Sequence, residues 1–152
     1  MRILFWKGPV GLAGRLIRLK TGAAYSHCEL LFSEGERFAI DVGAPARFYK
    51  PGYAAAPWDP KLWDCIEISY GDEMRTRMWC LQHVGATYDW RGIVFCQVFP
   101  WGWEHATKYF CSELCVEALQ AGGYPQVTGL TPYQLSPAKL AGHLRLAVST
   151  GL

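Results

Sequence analysis

The strongest constraint on the fold comes from residues 109–119, which predict a helix that begins at a cysteine. One apolar face recurs there at helical spacing: Leu114, Cys115, Ala118 and Leu119. The helix must therefore pack that face against another element. Cys111 lies in or just before the first turn, where free N–H groups and the helix dipole stabilise a thiolate. It is a candidate nucleophile if a histidine reaches it; the alternative is a small apolar residue that serves packing alone.

Length and composition predict one globular domain over residues 1–152. The chain is 51% apolar and 18% charged, which argues against disorder. A net charge of +2, without a basic tail, gives no reason to expect nucleic acid as a partner. The six cysteines lie mostly in apolar runs, as expected of free thiols in a reducing compartment. We find no apolar run long enough for a transmembrane segment and no signal peptide, so synthesis in the cytoplasm is the expectation.

The remaining elements follow from periodicity and from their end signals. Strands are predicted at residues 2–6, 26–32, 37–42 and 62–68, and helices at 10–20, from Gly71 and from Ser136. The helix after Gly71 carries four apolar residues: Met74, Met78, Leu81 and Val84. Residues 44–60 predict a long loop with a short strand near 47–49, and residues 93–99 a buried helix, with a strand as the alternative.

His27 is the histidine with the most unusual setting. It shares a strand face with Glu29, so the two polar side chains can form a hydrogen bond. Asp41 follows on the next strand, and its position depends on the turn between them. A three-residue loop of residues 34–36 would place Asp41 opposite Glu29, whereas a two-residue loop would turn it away. We prefer Glu29 as the partner of His27, with Asp41 as the alternative.

Other chemistries have weaker support in the sequence. Zinc sites usually show two close ligand pairs, but here only Cys111 and Cys115 are close, and His27 and Cys28 should point to opposite faces of a strand. No metal or other cofactor is predicted. A Gly-x-Ser-x-Gly elbow and phosphate-binding glycine loops are absent from the sequence. The other histidines, at 83, 105 and 143, have ordinary settings.

Three short blocks together carry a resemblance: SHCEL at residues 26–30, YDWRG at 88–92 and FCSE at 110–113. In this order they resemble the circularly permuted papain-like hydrolases of the NlpC-type superfamily, which include the YiiX-like amidases and lecithin:retinol acyltransferase. Histidine precedes cysteine in those proteins, as it does here. More narrowly, the blocks are similar to a family of small proteins encoded by tailed phages and prophages.

The resemblance implies an α+β fold, with a small antiparallel sheet packed against helices. It implies that Cys111 is the nucleophile and His27 the base, with Glu29 or Asp41 orienting the histidine. Tyr88 would stabilise the oxyanion or position substrate. The backbone N–H groups of Cys111 and Ser112 would be the other oxyanion donors. Three tryptophans would shape the substrate groove: Trp90, Trp101 and Trp103.

The expected function is that of a cysteine amidase or endopeptidase that acts on peptidoglycan peptides through a thioacyl-enzyme. Location in the virion and contact with other phage tail proteins follow from the narrower resemblance. One alternative is a lipid-amide hydrolase or acyltransferase, with Trp101 and Trp103 meeting lipid. The other is a catalytically idle binding or structural component of a tail assembly.

Overall fold

The structure, a computed structural model, describes residues 1–51, 59–88 and 108–151. Its centre is an antiparallel sheet with strand order β4-β3-β2-β1-β5. The strands are β1 (Arg2–Trp6), β2 (His27–Leu31), β3 (Arg37–Asp41), β4 (Ala44–Tyr49) and β5 (Trp63–Glu67). A two-residue parallel pair follows, β6 (Thr87–Tyr88) with β7 (Lys108–Tyr109). The helices of the described residues are α1 (Leu12–Thr21), α2 (Glu73–Gln82), α3 (Cys111–Ala121) and α4 (Pro137–Ser149). The predicted α+β class is confirmed.

A glycine and two capping side chains fix the ends of the helices. Gly22 ends α1 in the left-handed conformation, with φ of 62°. The Asp72 carboxylate caps α2 by accepting the Arg75 N–H at 3.0 Å. Ser136 caps α4 and is followed by Pro137 at the first helical position. The predicted helix from residue 93 to 99 lies outside the described residues.

The central sheet has two differently occupied faces. On one face, Phe5, Cys28 and Leu30 are fully buried in the core that includes the apolar side of α3. On the other face, Leu4, Leu31 and Trp63 form a smaller cluster. Because side chains alternate along a strand, His27 and Glu29 share the second face while Cys28 lies under the helix. The burial of α3 against the sheet thus confirms its predicted apolar face.

The turn between β2 and β3 sets the position of Asp41. Its loop is residues 33–35, because the Phe32 N–H bonds the Glu36 carbonyl at 2.9 Å. Gly35 closes this loop with φ of 86°, the left-handed conformation that a three-residue hairpin loop needs at its last position. The loop lies one residue earlier than the predicted 34–36. Continuing the observed Leu30–Phe38 register places Asp41 across from His27 rather than opposite Glu29.

The apolar residues of the predicted helix after Gly71 do not form the buried side of α2. They are exposed by 44% to 66% of their surface: Met74, Met78 and Leu81 in the helix, and Val84 after its end. Thr76 and Cys80 are buried instead. The reason is close contact with the end of α3, where the Asp72 N–H bonds the Gly122 carbonyl at 2.8 Å. Only a helix side with small residues fits against that junction.

We expect Gly122→Ala to destabilise the protein by about 1–3 kcal/mol, because a Cβ there would overpack a filled junction. That atom would lie 2.0 Å from Thr76 Oγ1 and 2.9 Å from the Asp72 carbonyl oxygen. Gly142→Ala in α4 is the control, since its Cβ would meet nothing within 4 Å. It should stabilise the helix by about 0.5–1 kcal/mol. Urea unfolding measures both; equal effects would contradict the tight α2–α3 contact.

Candidate active site

Cys111 is the first residue of α3, as the sequence predicted. Phe110 precedes the helix in an extended conformation, and its N–H donates to Glu113 Oε2 at 3.1 Å. This bond fixes the first turn, where unpaired N–H groups and the helix dipole favour negative charge. Cys111 is only 2% exposed, with Cys115 one turn deeper in the core. Its sulfur therefore lies between the helix start and the sheet.

His27 is the first residue of β2, and two carboxylates flank its ring. Its Nε2 lies 3.1 Å from Glu29 Oε1 and 3.4 Å from Asp41 Oδ1. The ring also lies edge-on to Trp63, with centroids 6.3 Å apart. The structure therefore brings both predicted partners to the same nitrogen, with Glu29 the closer.

Cys111 and His27 interact and shift each other's pKa in opposite directions. The pKa of Cys111 is well below its usual range because of hydrogen bonding from Cys28 and because of the charge and hydrogen bond of His27. These effects outweigh burial, which would raise the pKa. Burial alone would lower the pKa of His27, but Cys111 and then Glu29 raise it well above its usual value. Both shifts favour a thiolate beside an imidazolium.

Glu29 is held by an arginine that the sequence analysis missed. Arg37 Nε donates to Glu29 Oε2 at 2.6 Å, and both residues are buried. The guanidinium carbon lies 4.6 Å from the centroid of the Trp63 ring. A signal was present in the sequence, since Arg37 and Asp41 occupy alternate positions of one strand and so share a face.

Asp41 is the more accessible of the two carboxylates. Its side chain is 37% exposed, against 9% for Glu29. The Tyr49 hydroxyl donates to Asp41 Oδ2 at 3.0 Å. Glu29 therefore has a buried cation as counterion, while Asp41 faces the surface beside the same histidine.

Tyr88, the predicted oxyanion or positioning residue, lies in the strand pair that leads to the cysteine. It ends β6, whose partner β7 leads directly into Cys111. Burial raises the pKa of Tyr88, and so do the negative charges of Cys111 and Asp41. The hydroxyl thus stays protonated at neutral pH and can donate a hydrogen bond.

A cleft of about 380 Å³ opens on the carboxylate side of the histidine. His27, Glu29, Asp41 and Tyr88 line it together with aromatic side chains that include Trp6, Tyr49 and Trp63, and residues around α1 form another part of its wall. Its size is that of a pocket for a small ligand or a few residues of peptide. The predicted groove residues Trp90, Trp101 and Trp103 lie outside the described residues.

The remaining candidates have structural settings. The His83 ring stacks on Trp79 with centroids 3.6 Å apart, and His143 Nε2 lies 2.8 Å from the Gln126 carbonyl oxygen. His105 lies outside the described residues. Within the described ranges, no cluster of histidine, cysteine and carboxylate side chains could hold a metal ion. No helix in the described part of the chain is long and apolar enough to cross a membrane.

No protein-family model and no curated protein matches this chain. The site therefore has to be interpreted from its own geometry. That geometry joins a cysteine at a helix start to a histidine with two carboxylate partners.

We expect Glu29→Gln to destabilise the protein by about 3 kcal/mol, because it removes the buried anion that faces Arg37 and His27. Asp41→Asn is the matched control. Because the carboxylate of Asp41 is partly exposed, removing its charge should lower the free energy of unfolding by less than about 1 kcal/mol. Urea unfolding at neutral pH compares the two, and equal losses would contradict the central place of the Arg37–Glu29 pair.

The thiolate–imidazolium pair also predicts a pH profile of stability. A raised His27 pKa contributes stability that is complete below the unfolded value of 6.5 and is lost as pH rises through the folded pKa. A lowered Cys111 pKa contributes stability that is complete above the unfolded value of 9.0 and is lost as pH falls through the folded pKa. Between these two values the native and unfolded pairs bind the same number of protons, so the opposing slopes cancel.

We therefore expect the contribution of the pair to the free energy of unfolding to be constant between pH 6.5 and pH 9.0, the two unfolded pKa values, and to fall at lower and at higher pH. The measurement is the free energy of unfolding across pH, as the difference between the wild type and the variant His27→Gln/Cys111→Ala. That variant lacks both titrating groups. A steady slope of about 1.4 kcal/mol per pH unit across the middle interval would mean that only one group is charged in the native state.

Proposed function

We propose that this chain is a cysteine hydrolase, an amidase or endopeptidase that works through a thioacyl-enzyme. The observation that carries the proposal is the pairing of Cys111, at a helix start, with His27, whose Nε2 lies 3.1 Å from Glu29 Oε1 and 3.4 Å from Asp41 Oδ1. A thiolate activated by a histidine, itself oriented by a third group, is the arrangement that nucleophilic catalysis requires.

The reaction follows from this arrangement. The Cys111 thiolate attacks the amide carbonyl, and His27 as imidazolium protonates the nitrogen as the C–N bond breaks. Water then attacks the thioester and gives a proton to neutral His27, the C–S bond breaks, and the carboxylic acid leaves. The sulfur departs as the thiolate, which restores the thiolate beside the imidazolium. Because Nε2 faces the carboxylates, we infer that Nδ1 is the nitrogen that serves the sulfur.

The negative charge that develops on the carbonyl oxygen also has candidate donors. The N–H groups of Cys111 and Ser112 belong to the first turn of α3, where an N–H has no acceptor within its own helix. The hydroxyl of Tyr88 is a third candidate because it stays protonated. Together they would form the oxyanion hole.

We propose peptidoglycan peptides as the substrate and a permuted papain-like fold as the framework. The support is the resemblance of the three sequence blocks, the order of histidine before cysteine and the cleft of about 380 Å³ beside His27. A cleft with exposed carboxylate and aromatic walls suits a short peptide better than a long acyl chain. The association with phage tails rests on the narrower resemblance alone.

We expect Cys111→Ala to reduce cleavage of purified peptidoglycan by about a thousandfold or more, because the nucleophile is lost. Release of new amino groups and mass spectrometry of the products measure it. Cys65→Ser is the control, since Cys65 is exposed on β5 and should be dispensable. Continued cleavage by Cys111→Ala would overturn the hydrolase. Binding of peptidoglycan without cleavage by the wild type would favour the idle tail component instead.

A further inference from the structure

We propose that Arg37 is a positioning residue of the site, which acts on His27 through Glu29. Its guanidinium holds one oxygen of the carboxylate and leaves the other to the histidine, and its charge limits how firmly the histidine keeps its proton. The inference rests on the proposed role of His27 as the group that gives a proton to the leaving nitrogen and later takes one from water.

The two oxygens of the Glu29 carboxylate have different partners. Arg37 approaches Oε2 with two nitrogens, Nε and Nη2, each at 2.6 Å. Oε1 lies 3.1 Å from His27 Nε2. An ionised carboxylate can only accept hydrogen bonds, so its bond with Nε2 requires that this nitrogen carry a proton. By holding Oε2, Arg37 therefore determines which oxygen meets the histidine, and Nδ1 remains for the sulfur.

The indole of Trp63 holds Arg37 in this position. The guanidinium carbon lies 4.6 Å from the ring centroid, and a cation over the face of a tryptophan is attracted to it. The same ring lies edge-on to His27, with centroids 6.3 Å apart. Because Trp63 is only 3% exposed, it excludes from this side the water that would screen the charges of Arg37 and Glu29.

The charge of Arg37 matters because His27 has to release its proton during the reaction. Two carboxylates lie at Nε2, and a carboxylate beside an imidazolium favours the charged form of the ring. Water screens the charge of Asp41, whose side chain is 37% exposed, far more than that of Glu29, which is 9% exposed. Arg37 offsets the charge of Glu29, so this carboxylate orients the histidine without holding it permanently as imidazolium.

Other titratable or charged groups face His27 or its partners from several elements. Cys111 in α3 acts on the ring directly, and Asp41 in β3 shares Nε2 with Glu29. Four more act through Asp41, through Cys111 or through the adjoining Ser26: Arg18 in α1, Arg47 and Tyr49 in β4, and Tyr88 in β6. Among the cations of this set that the structure describes, Arg37 is the one that binds the buried carboxylate at Nε2.

The test is an NMR titration of the His27 ring without any substrate, in a parent protein that carries Cys111→Ala. That background removes the thiolate, so the ring responds to its carboxylate partners. The variant His27→Gln identifies the resonance among those of the four histidines. Arg37→Met removes the cation and its donors. Arg37→Gln also removes the cation but keeps a donor for Glu29, in case Arg37→Met weakens the fold, and Arg37→Lys keeps the charge.

Arg77→Met is the matched control, because Arg77 makes the same kinds of contact elsewhere in the protein. Its Nη2 lies 2.8 Å from Glu36 Oε2, and its guanidinium carbon lies 5.3 Å from the centroid of the Phe48 ring. Its removal therefore costs the protein an arginine, an ion pair and a cation–ring contact, but leaves Glu29 and its partners in place.

We expect Arg37→Met and Arg37→Gln to raise the pKa of His27 by about one unit, a tenfold higher ratio of imidazolium to imidazole at a given pH, because the charge of Glu29 is no longer offset. Arg37→Lys and Arg77→Met should titrate close to the parent protein. An unchanged or lower pKa in the two charge-free variants, or an equal rise in Arg77→Met, would overturn the role of Arg37. Because no cleavage is measured, that result leaves the hydrolase standing, and an inactive wild type leaves the titration standing.

Discussion

The contact between the start of α3 and the start of β2 is the interaction on which the rest of the site depends. Apolar packing of Leu114 and Ala118 in the main core fixes how the helix lies on the sheet. The first turn is then held over His27 and Cys28, and Cys111 has no freedom to lie elsewhere. Hydrophobic burial, which has no directional preference of its own, thereby brings the thiol of Cys111 to the part of the sheet where His27 lies.

The charged side chains on the face of the sheet that carries His27 and Glu29 alternate in sign. The positive Arg37 pairs with the negative Glu29. Glu29 and Asp41 both pair with the imidazolium of His27, which in turn faces the thiolate of Cys111. An isolated charge in a buried place costs far more than a paired one, so each member depends on its neighbour. The outer carboxylate, Asp41, is also the most exposed member, and loss of its charge would still leave the buried Arg37 paired with Glu29.

Local signals in the sequence were sufficient for β1, β2, β3 and β5, for the start of α4 at Ser136 and for the apolar face of α3, because each depends on residues close together. They predicted β4 only in part, as a short strand near residues 47–49 of a long loop, whereas the strand covers Ala44–Tyr49. Local signals were not sufficient to predict how the elements lie against one another. The predicted hairpin loop was displaced by one residue, since the choice depends on where Gly35 can adopt a positive φ within a run of polar residues. The side of α2 that packs could not be foreseen, because it is set by the contact with Gly122, far along the chain, and leaves the methionines of the helix exposed.

The cysteines separate the effect of burial from the effect of partners. Cys80 and Cys111 are both almost fully buried, yet burial raises the pKa of Cys80 while the pKa of Cys111 falls. Desolvation opposes the charged form in both, so it cannot explain the difference. The difference lies in the neighbours: hydrogen bonding from Cys28 and the charge of His27 lower the pKa of Cys111, whereas the thiol of Cys115 helps to raise the pKa of Cys80. A helix-start cysteine is thus a candidate nucleophile only through residues that lie more than eighty positions earlier in the chain, which is why its own segment left both interpretations open.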